Sequence, residues 1–104
     1  SKGTPIHARG ALLFNHYIKD KKLTNKYSLI ANGEKIKFLY LKKPNIIQEN
    51  VISFIQDFPH ELGLDKYIDY DLQFEKSFVE PLKAILDAIG WNVEKTVNLE
   101  LFFA

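Results

Sequence analysis

The sequence predicts an α+β fold, because three stretches of the chain show distinct periodicities. Apolar residues recur at helical spacing over residues 5–19, apolar and charged residues alternate over residues 35–41, and a second helical pattern runs over residues 65–89. The 104 residues, 46% of them hydrophobic, suffice for one domain with a real core. We expect an N-terminal helix, a small antiparallel sheet and a long C-terminal helical segment.

The first helix is predicted to start at Pro5, where a missing N–H costs nothing. Thr4 is then the N-cap, because its hydroxyl can accept from the amides of the first turn. His7 and Arg9 fall in the first turns, near the positive end of the helix dipole, and Lys2 precedes them. Such a site attracts phosphate. On spacing alone, an ordinary capped helix with solvated charges remains the alternative.

The sheet is predicted around a β-hairpin. Residues 27–30 form a short apolar strand, and an Asn-Gly pair at residues 32–33 is a strong hairpin signal. In the following strand Lys35 and Lys37 lie on one face, which would meet water or a polyanionic partner. The β-branched stretch at residues 50–55 is predicted to form a third strand.

The C-terminal helical segment has an apolar stripe on one face. Asp65 or Asp69 is a candidate N-cap, and Gly90 is the stop signal. Pro81 removes one backbone donor and should kink or divide the helix. The stripe consists of Phe74, Phe78, Leu82, Ile85, Leu86 and Ile89.

The helical apolar pattern stops near the end of the chain, so we divide the sequence into a body, residues 1–91, and a tail, residues 92–104. The tail is a polar linker followed by large apolar residues. An uncovered apolar end is an association hazard. It either folds back onto the sheet of its own domain or docks on a partner.

The small net charge of +1 conceals a strong asymmetry. Residues 1–43 contain ten Lys and Arg against two carboxylates, a net +8, whereas residues 44–104 contain four Lys against eleven carboxylates, a net −7. A polyanionic partner would meet the first half. The alternative is that both halves are solvated surfaces.

Several kinds of chemistry have no signature in this sequence. There is no Cys, no glycine-rich phosphate loop and no nucleophile elbow. Asp69-Tyr70-Asp71 superficially resembles a polymerase metal signature, but it opens a predicted helix, where aspartates serve as caps. The His60-Glu61 pair lies in a turn and is interpreted as a surface pair. No apolar run is long enough for a membrane span, and the first ten residues lack the apolar region of a signal peptide.

The N-terminal segment Lys2-Gly3-Thr4-Pro5-Ile6-His7-x-Arg9-Gly10 resembles one in the thumb of family B replicative DNA polymerases of T-even-like phages. The similarity covers nearly the whole chain but only the last part of such a polymerase. Residues 43–63 depart from the pattern and lack a Trp-Pro-Ser-Gly-like turn. The other similar residues are Asn15, Ile18, Gly33-Glu34-Lys35 with the strand at residues 36–41, Asp69-Tyr70, and Phe74-Glu75-Lys76-Ser77-Phe78-Val79-x-Pro81-Leu82.

The resemblance implies a thumb that grips the primer–template duplex through phosphates, without reading sequence. The catalytic carboxylates and their Mg²⁺ would belong to an upstream palm, so this chain would have no cofactor and no polymerase activity alone. The rest of the polymerase would be fused upstream or supplied in trans. The implied DNA-binding residues are Lys2, Thr4, His7, Arg9, Lys35 and Lys37.

The tail, in turn, resembles the hydrophobic C-terminal peptides by which phage replicative polymerases bind their sliding clamp. Leu99, Leu101, Phe102 and Phe103 would be its anchors. The resemblance implies the cytoplasm of a phage-infected bacterium. The chain has no Met, so either an initiator was removed or the chain is a piece of a longer one, as the resemblance favours. The alternative function is a small protein–protein interaction domain with no direct nucleic-acid role.

Overall fold

The structure, a computed structural model, has the α+β architecture that the sequence predicts. It describes residues 3–90, so Lys2 and the predicted tail lie outside the described part. The chain divides into two compact units, residues 1–73 and 74–104. The elements, in chain order, are α1 (Ile6–Asp20), β1 (Lys37–Tyr40), β2 (Val51–Phe54), two short 3₁₀ helices (His60–Leu62 and Asp65–Tyr67), α2 (Tyr70–Phe74), a π-helical turn (Glu75–Val79) and α3 (Glu80–Ala88).

Helix α1 forms where the apolar spacing predicts it. Its buried residues are Gly10, Phe14 and Ile18, which recur every four positions and so lie on one face. At its C-terminal end, the backbone N–H of Lys21 donates to the carbonyl of Tyr17 at 2.9 Å. The helix therefore presents a single apolar stripe to the rest of the unit.

The start of α1 differs by one residue from the prediction. Pro5 has φ −57° and ψ 147°, which is extended rather than helical backbone, and its carbonyl accepts the first helical hydrogen bond from the N–H of Arg9 at 3.0 Å. Pro5 is therefore the N-cap, and Thr4 precedes it. The predicted N-cap role of Thr4 is wrong, because the chain turns helical only at Ile6.

The sheet consists of β1 and β2, which pair antiparallel with Lys37 opposite Phe54 and Tyr40 opposite Val51. The strand predicted within residues 50–55 is thus confirmed as β2. All four residues of β2 are buried, as expected of a strand covered on both faces.

The predicted strand at residues 27–30 is wrong, so the Asn-Gly turn does not join two paired strands. The turn itself forms: Gly33 has φ +84°, and the N–H of Glu34 donates to the carbonyl of Ala31 at 3.3 Å. The Asn15 side chain on α1 accepts from the N–H of Ile30 at 2.8 Å and donates to its carbonyl at 2.9 Å. These bonds satisfy the N–H and C=O of Ile30, which would otherwise pair within a sheet.

The outer edge of β1 is occupied by the segment that leads into α2. Asp69 N–H donates to the carbonyl of Tyr40 at 2.9 Å, and Leu41 forms an isolated antiparallel bridge with Ile68. The Gln73 side chain accepts from the N–H of Tyr40 at 2.9 Å and donates to the carbonyl of Phe38 at 3.3 Å. The backbone of β1 is therefore held from both sides.

Helix α1 packs mainly against β2 and meets β1 at few points. The closest approach is at Gly10, where a Cβ atom would overlap the Ser53 hydroxyl oxygen and would lie 2.9 Å from the Ser53 backbone nitrogen. The Ser53 hydroxyl donates to the carbonyl of His7 at 2.9 Å. This side-chain bond fixes the first turns of α1 relative to the sheet.

The hydrophobic core of the first unit gathers side chains from α1, both strands and the short 3₁₀ helices. The Phe14 ring meets the Tyr27 ring edge to face at 6.2 Å, and the Phe54 ring meets Phe58 in the same way at 5.6 Å. The buried members are Phe14, Ile18, Leu41, Ile47, Ile52, Phe54, Leu62, Leu64 and Ile68.

The C-terminal helical segment begins and ends as predicted. The Asp69 carboxylate accepts from the N–H of Leu72 at 3.1 Å, which is N-cap geometry for α2. Gly90, at φ +86°, follows the end of α3 and donates to the carbonyl of Asp87 at 3.1 Å. The π-helical turn lies just before Pro81, so the missing N–H of the proline coincides with the predicted division of the helix.

The predicted apolar stripe of this segment is largely exposed among the described residues. The exposed fraction is 59% for Phe74, 54% for Phe78 and 71% for Ile89. The Phe74 and Phe78 rings stack at 5.2 Å. Within the described part of the chain, no helix is both long and apolar enough to cross a membrane.

We predict that Gly10→Ala lowers the free energy of unfolding by about 1–3 kcal/mol, because the new methyl group clashes with Ser53 backbone that cannot move freely. Helix propensity alone would favour Ala by up to about 1 kcal/mol. Urea unfolding of the full chain measures the change, with Ala11→Gly as the control for propensity. A Gly10→Ala variant as stable as the parent would contradict the close packing.

Candidate nucleic-acid interface

The first turns of α1 position two of the predicted phosphate contacts. His7 is exposed, and its ring centroid lies 6.5 Å from that of Phe38 on β1. The His7 carbonyl is held by Ser53, so the turn that bears the imidazole is anchored to the sheet. The structure therefore brings His7 next to the face of β1 that bears Phe38, whereas Lys37, the preceding residue of the strand, lies on the opposite face.

Arg9 lies on the same turns but points its guanidinium at the loop between the strands. Its Nη1 donates to the Asn50 side-chain oxygen at 2.8 Å and to the Glu49 carboxylate at 3.3 Å. The Arg9 side chain is 27% exposed, and that of Glu49 is 34% exposed. A phosphate at Arg9 would have to compete with this carboxylate, so a phosphate contact by Arg9 stays a prediction.

Asn45 organises the loop that Arg9 contacts. It is 5% exposed, donates to the carbonyls of Lys42 and Glu49 at 2.8 Å and 2.7 Å, and accepts from the N–H of Ile47 at 3.0 Å. With its polar atoms bonded, the buried amide costs little and holds both ends of the loop. The loop thus presents Glu49 and Asn50 to Arg9 in a fixed geometry.

Lysines lie at both ends of β1. Lys35 and Lys37 come at the start of the strand, and Lys42 and Lys43 come directly after it; all four are exposed. None of them forms an ion pair with another residue of the described range 3–90. The resemblance implies only the first pair as DNA contacts, so Lys42 and Lys43 are additions from the structure.

One of the cations among residues 1–43, Lys26, forms an ion pair within the first unit. The Lys26 ammonium and the Tyr27 hydroxyl both donate to the Glu61 carboxylate, the hydroxyl at 2.5 Å. These two bonds lower the pKa of Glu61 to about 2. The bond to Glu61, together with partial burial, raises the pKa of Tyr27 to about 12. This cluster ties residues 26–27 to the first 3₁₀ helix, a contact that sequence spacing does not reveal.

Several acidic residues of this unit have structural partners in the described chain. His60 contacts the Asp65 carboxylate while Glu61 is engaged by Lys26, which agrees with the interpretation of His60-Glu61 as a surface pair. Asp69 caps α2. Within residues 3–90 no three His, Cys, Asp or Glu side chains are grouped as a metal would need.

An open cleft of about 340 Å³ lies beside this cluster. It carries charges of both signs, Lys26 against Glu34 and Asp57, over a floor that includes Phe14 and Tyr27. Mixed charge gives it little attraction for a polyanion, so the lysines at the ends of β1 are the better candidate contacts.

The chain is similar in sequence to part of a phage enzyme. The chain is 27% identical over 103 residues to a DNA-directed DNA polymerase of Enterobacteria phage T4. The matched region covers 95% of this chain and 11% of that polymerase, so the chain spans about a tenth of its relative. No family model matches the chain. The similarity supports a polymerase-related region.

We predict that the Glu61 cluster makes stability depend on acid pH. Because the folded-state pKa of Glu61 lies near 2, below the ordinary value of 4.5, its contribution is complete above about pH 4.5 and is lost as pH falls toward 2. The stability difference between the parent and Glu61→Gln should therefore shrink over this range. Chemical unfolding between pH 7 and pH 2.5 measures it.

Asp20→Asn, which removes one exposed carboxylate at the end of α1, controls for the loss of a negative charge. A gap between parent and Glu61→Gln that stays constant down to pH 2.5 would show that Glu61 is not held ionised by Lys26 and Tyr27.

Proposed function

We propose that this chain is the duplex-gripping thumb region of a family B phage DNA polymerase. The observation that carries the proposal is the match along 95% of the chain to a phage DNA polymerase, together with the N-terminal segment at residues 2–10 that resembles the thumb. The net charge of +8 on residues 1–43 supplies the attraction for DNA phosphates. The whole enzyme's nucleotidyl transfer would use carboxylates and Mg²⁺ outside this chain.

The proposed grip uses His7 at the start of α1 with Lys35 and Lys37 at the start of β1. These side chains are exposed, and α1 and β1 are held together through β2. Lys2, which precedes the described residues, and Thr4 are retained from the sequence analysis as further contacts. Arg9 would contribute by positioning the loop at Glu49, unless DNA displaces that carboxylate. Contacts of this kind position a duplex without reading its sequence.

A second candidate function is a protein–protein interaction domain, favoured by the exposed apolar stripe of the 74–104 unit. Ile85 is 61% exposed and Phe74 59%, and the described residues of that unit leave both uncovered. Such a stripe is typical of an interaction surface. Salt dependence separates the two functions, because a duplex grip weakens steeply as salt rises whereas apolar docking does not.

We further propose that the tail binds the sliding clamp of the replication machinery. Leu99, Leu101, Phe102 and Phe103 would fill an apolar pocket of the clamp, and the polar residues before them would act as a tether that raises the local concentration of enzyme at the primer end. This proposal comes from the sequence, since the tail lies outside the described residues.

We predict that Lys35→Ala and Lys37→Ala each lower duplex affinity similarly for all sequences. Each should reduce the slope of log affinity against log salt by about one, because one phosphate contact releases about one counterion. Fluorescence anisotropy with labelled duplexes measures affinity between low and moderate salt, with the assembled polymerase as the sample if the chain alone binds weakly.

Lys66→Ala is the matched control, because Lys66 is an exposed lysine of the same unit that lies over the Tyr67 ring and is not among the predicted phosphate contacts. Equal slopes for the parent and for all three variants would rule out Lys35 and Lys37 as phosphate contacts.

We predict that deletion of residues 99–104 abolishes clamp-dependent processivity while clamp-free synthesis by the assembled polymerase survives. The physical reason is that the anchors are lost but the duplex grip remains. Primer extension with and without the clamp measures both activities. Parallel loss of the two would mean that the tail belongs to the fold and that the clamp proposal is wrong.

A further inference from the structure

The packing of α1 leaves part of one sheet face uncovered. Residues that are paired across an antiparallel ladder lie on the same face, so Phe38 and Tyr40 share a face with Ser53 and Val51. The contact between Gly10 and the Ser53 hydroxyl places α1 on this face. Because the helix covers β2 and meets β1 at few points, Phe38 and Tyr40 remain half-buried rather than buried.

His7 extends this uncovered part into a row of three rings. The His7 and Phe38 rings lie 6.5 Å apart and are tilted by 38°, and the Phe38 and Tyr40 rings lie 5.6 Å apart at 74°. We call these three side chains the aromatic row. Its backbone is fixed, since Gln73 bonds to Phe38 and Tyr40 from one edge of β1 while β2 pairs with the other. The row is therefore preorganised for a ligand.

The charges around the aromatic row suit a polyanion. Lys42, two residues beyond Tyr40, follows the alternation of Phe38 and Tyr40 and so lies toward the same face, and the exposed Lys35 and Lys43 lie just outside the two ends of β1. Lys37, which pairs with Phe54, lies on the opposite face. A strand of four residues is about 13 Å long. An apolar protein ligand would gain nothing from lysines at both ends. A nucleic-acid strand would place its phosphates on the lysines and its bases on the rings, which is the arrangement of single-strand binding surfaces.

We infer that the aromatic row is a stacking site for unpaired nucleotides of a single-stranded nucleic acid. The site goes beyond the proposed duplex grip, because duplex phosphates need no stacking surface and paired bases cannot offer their faces to it. It rests on the proposed function only in taking the ligand to be a nucleic acid. Stacking on aromatic faces tolerates every base, so the site would bind without sequence preference.

The test compares a labelled 12-nucleotide oligothymidylate with a blunt duplex, using the full chain and fluorescence anisotropy. Phe38→Leu and Tyr40→Leu should each weaken binding of the single strand about tenfold and leave duplex affinity within twofold. Tyr70→Leu is the matched control, because Tyr70 is an aromatic residue of the same unit that is 68% exposed and lies outside the aromatic row.

A second measurement is made on the parent protein and so does not depend on the folding of a variant. A single strand with one 2-aminopurine base should change its fluorescence when it binds the parent protein, because stacking on a ring alters the emission of that base. Tyr40→Leu, whose fold is checked by circular dichroism, should lose most of this change.

The outcomes separate this inference from the proposed function. Parent-like single-strand affinity in both variants, or no fluorescence change in the bound strand, would overturn the stacking site and leave the duplex grip standing; the row would then be free for a protein partner. Single-strand binding that depends on Phe38 and Tyr40, without duplex binding, would support the stacking site and contradict the proposed duplex grip. Absence of binding to either nucleic acid would overturn both.

Discussion

The close approach of α1 to β2 at Gly10 and Ser53 is the constraint on which the first unit depends. A residue with a Cβ atom at position 10 would collide with Ser53, so the glycine sets how near the helix comes to the strand. Glycine lowers the stability of a helix interior, and the close packing of α1 on β2 offsets this loss. The Ser53 hydroxyl also donates to the His7 carbonyl, and this bond fixes the orientation of α1 relative to β2. The position of the candidate interface relative to the sheet follows from this one contact.

Other elements of the unit are held by side chains of the same helix. Asn15 binds both backbone groups of Ile30 and so fixes the segment that follows α1, while Arg9 reaches the loop between the strands. A single amphipathic helix therefore positions the turn before β1 and the loop after it. Lysines at both ends of β1 are displayed on a frame that this helix organises. The proposed duplex grip would use such a frame, because phosphate contacts fix the register and orientation of a protein on a duplex.

The sequence predicts those parts of the fold that rest on local signals. The four-residue apolar period of α1, the aspartate cap at Asp69 and the stop at Gly90 are confirmed because each depends on near neighbours. The prediction of a strand at residues 27–30 is wrong. The Asn15 side chain, fifteen residues away in the sequence, bonds both backbone groups of Ile30, and local propensity does not reveal such a contact. Likewise, Arg9 lies about forty residues from its partners Glu49 and Asn50 in the sequence, so local patterns do not reveal this contact. The basic half of the chain is visible in the sequence, but which of its cations are engaged by carboxylates is a property of the fold.

The proposed grip requires DNA to meet the start of α1 and the ends of β1. Nuclear magnetic resonance of the ¹⁵N-labelled chain, titrated with a short duplex, tests this requirement most directly. We expect that the amide signals which shift belong to residues around His7 and Lys37, whereas those around Glu61 and along α3 stay unchanged. Shifts concentrated on the exposed apolar stripe of residues 74–89, or no shifts at saturating DNA, would contradict the grip.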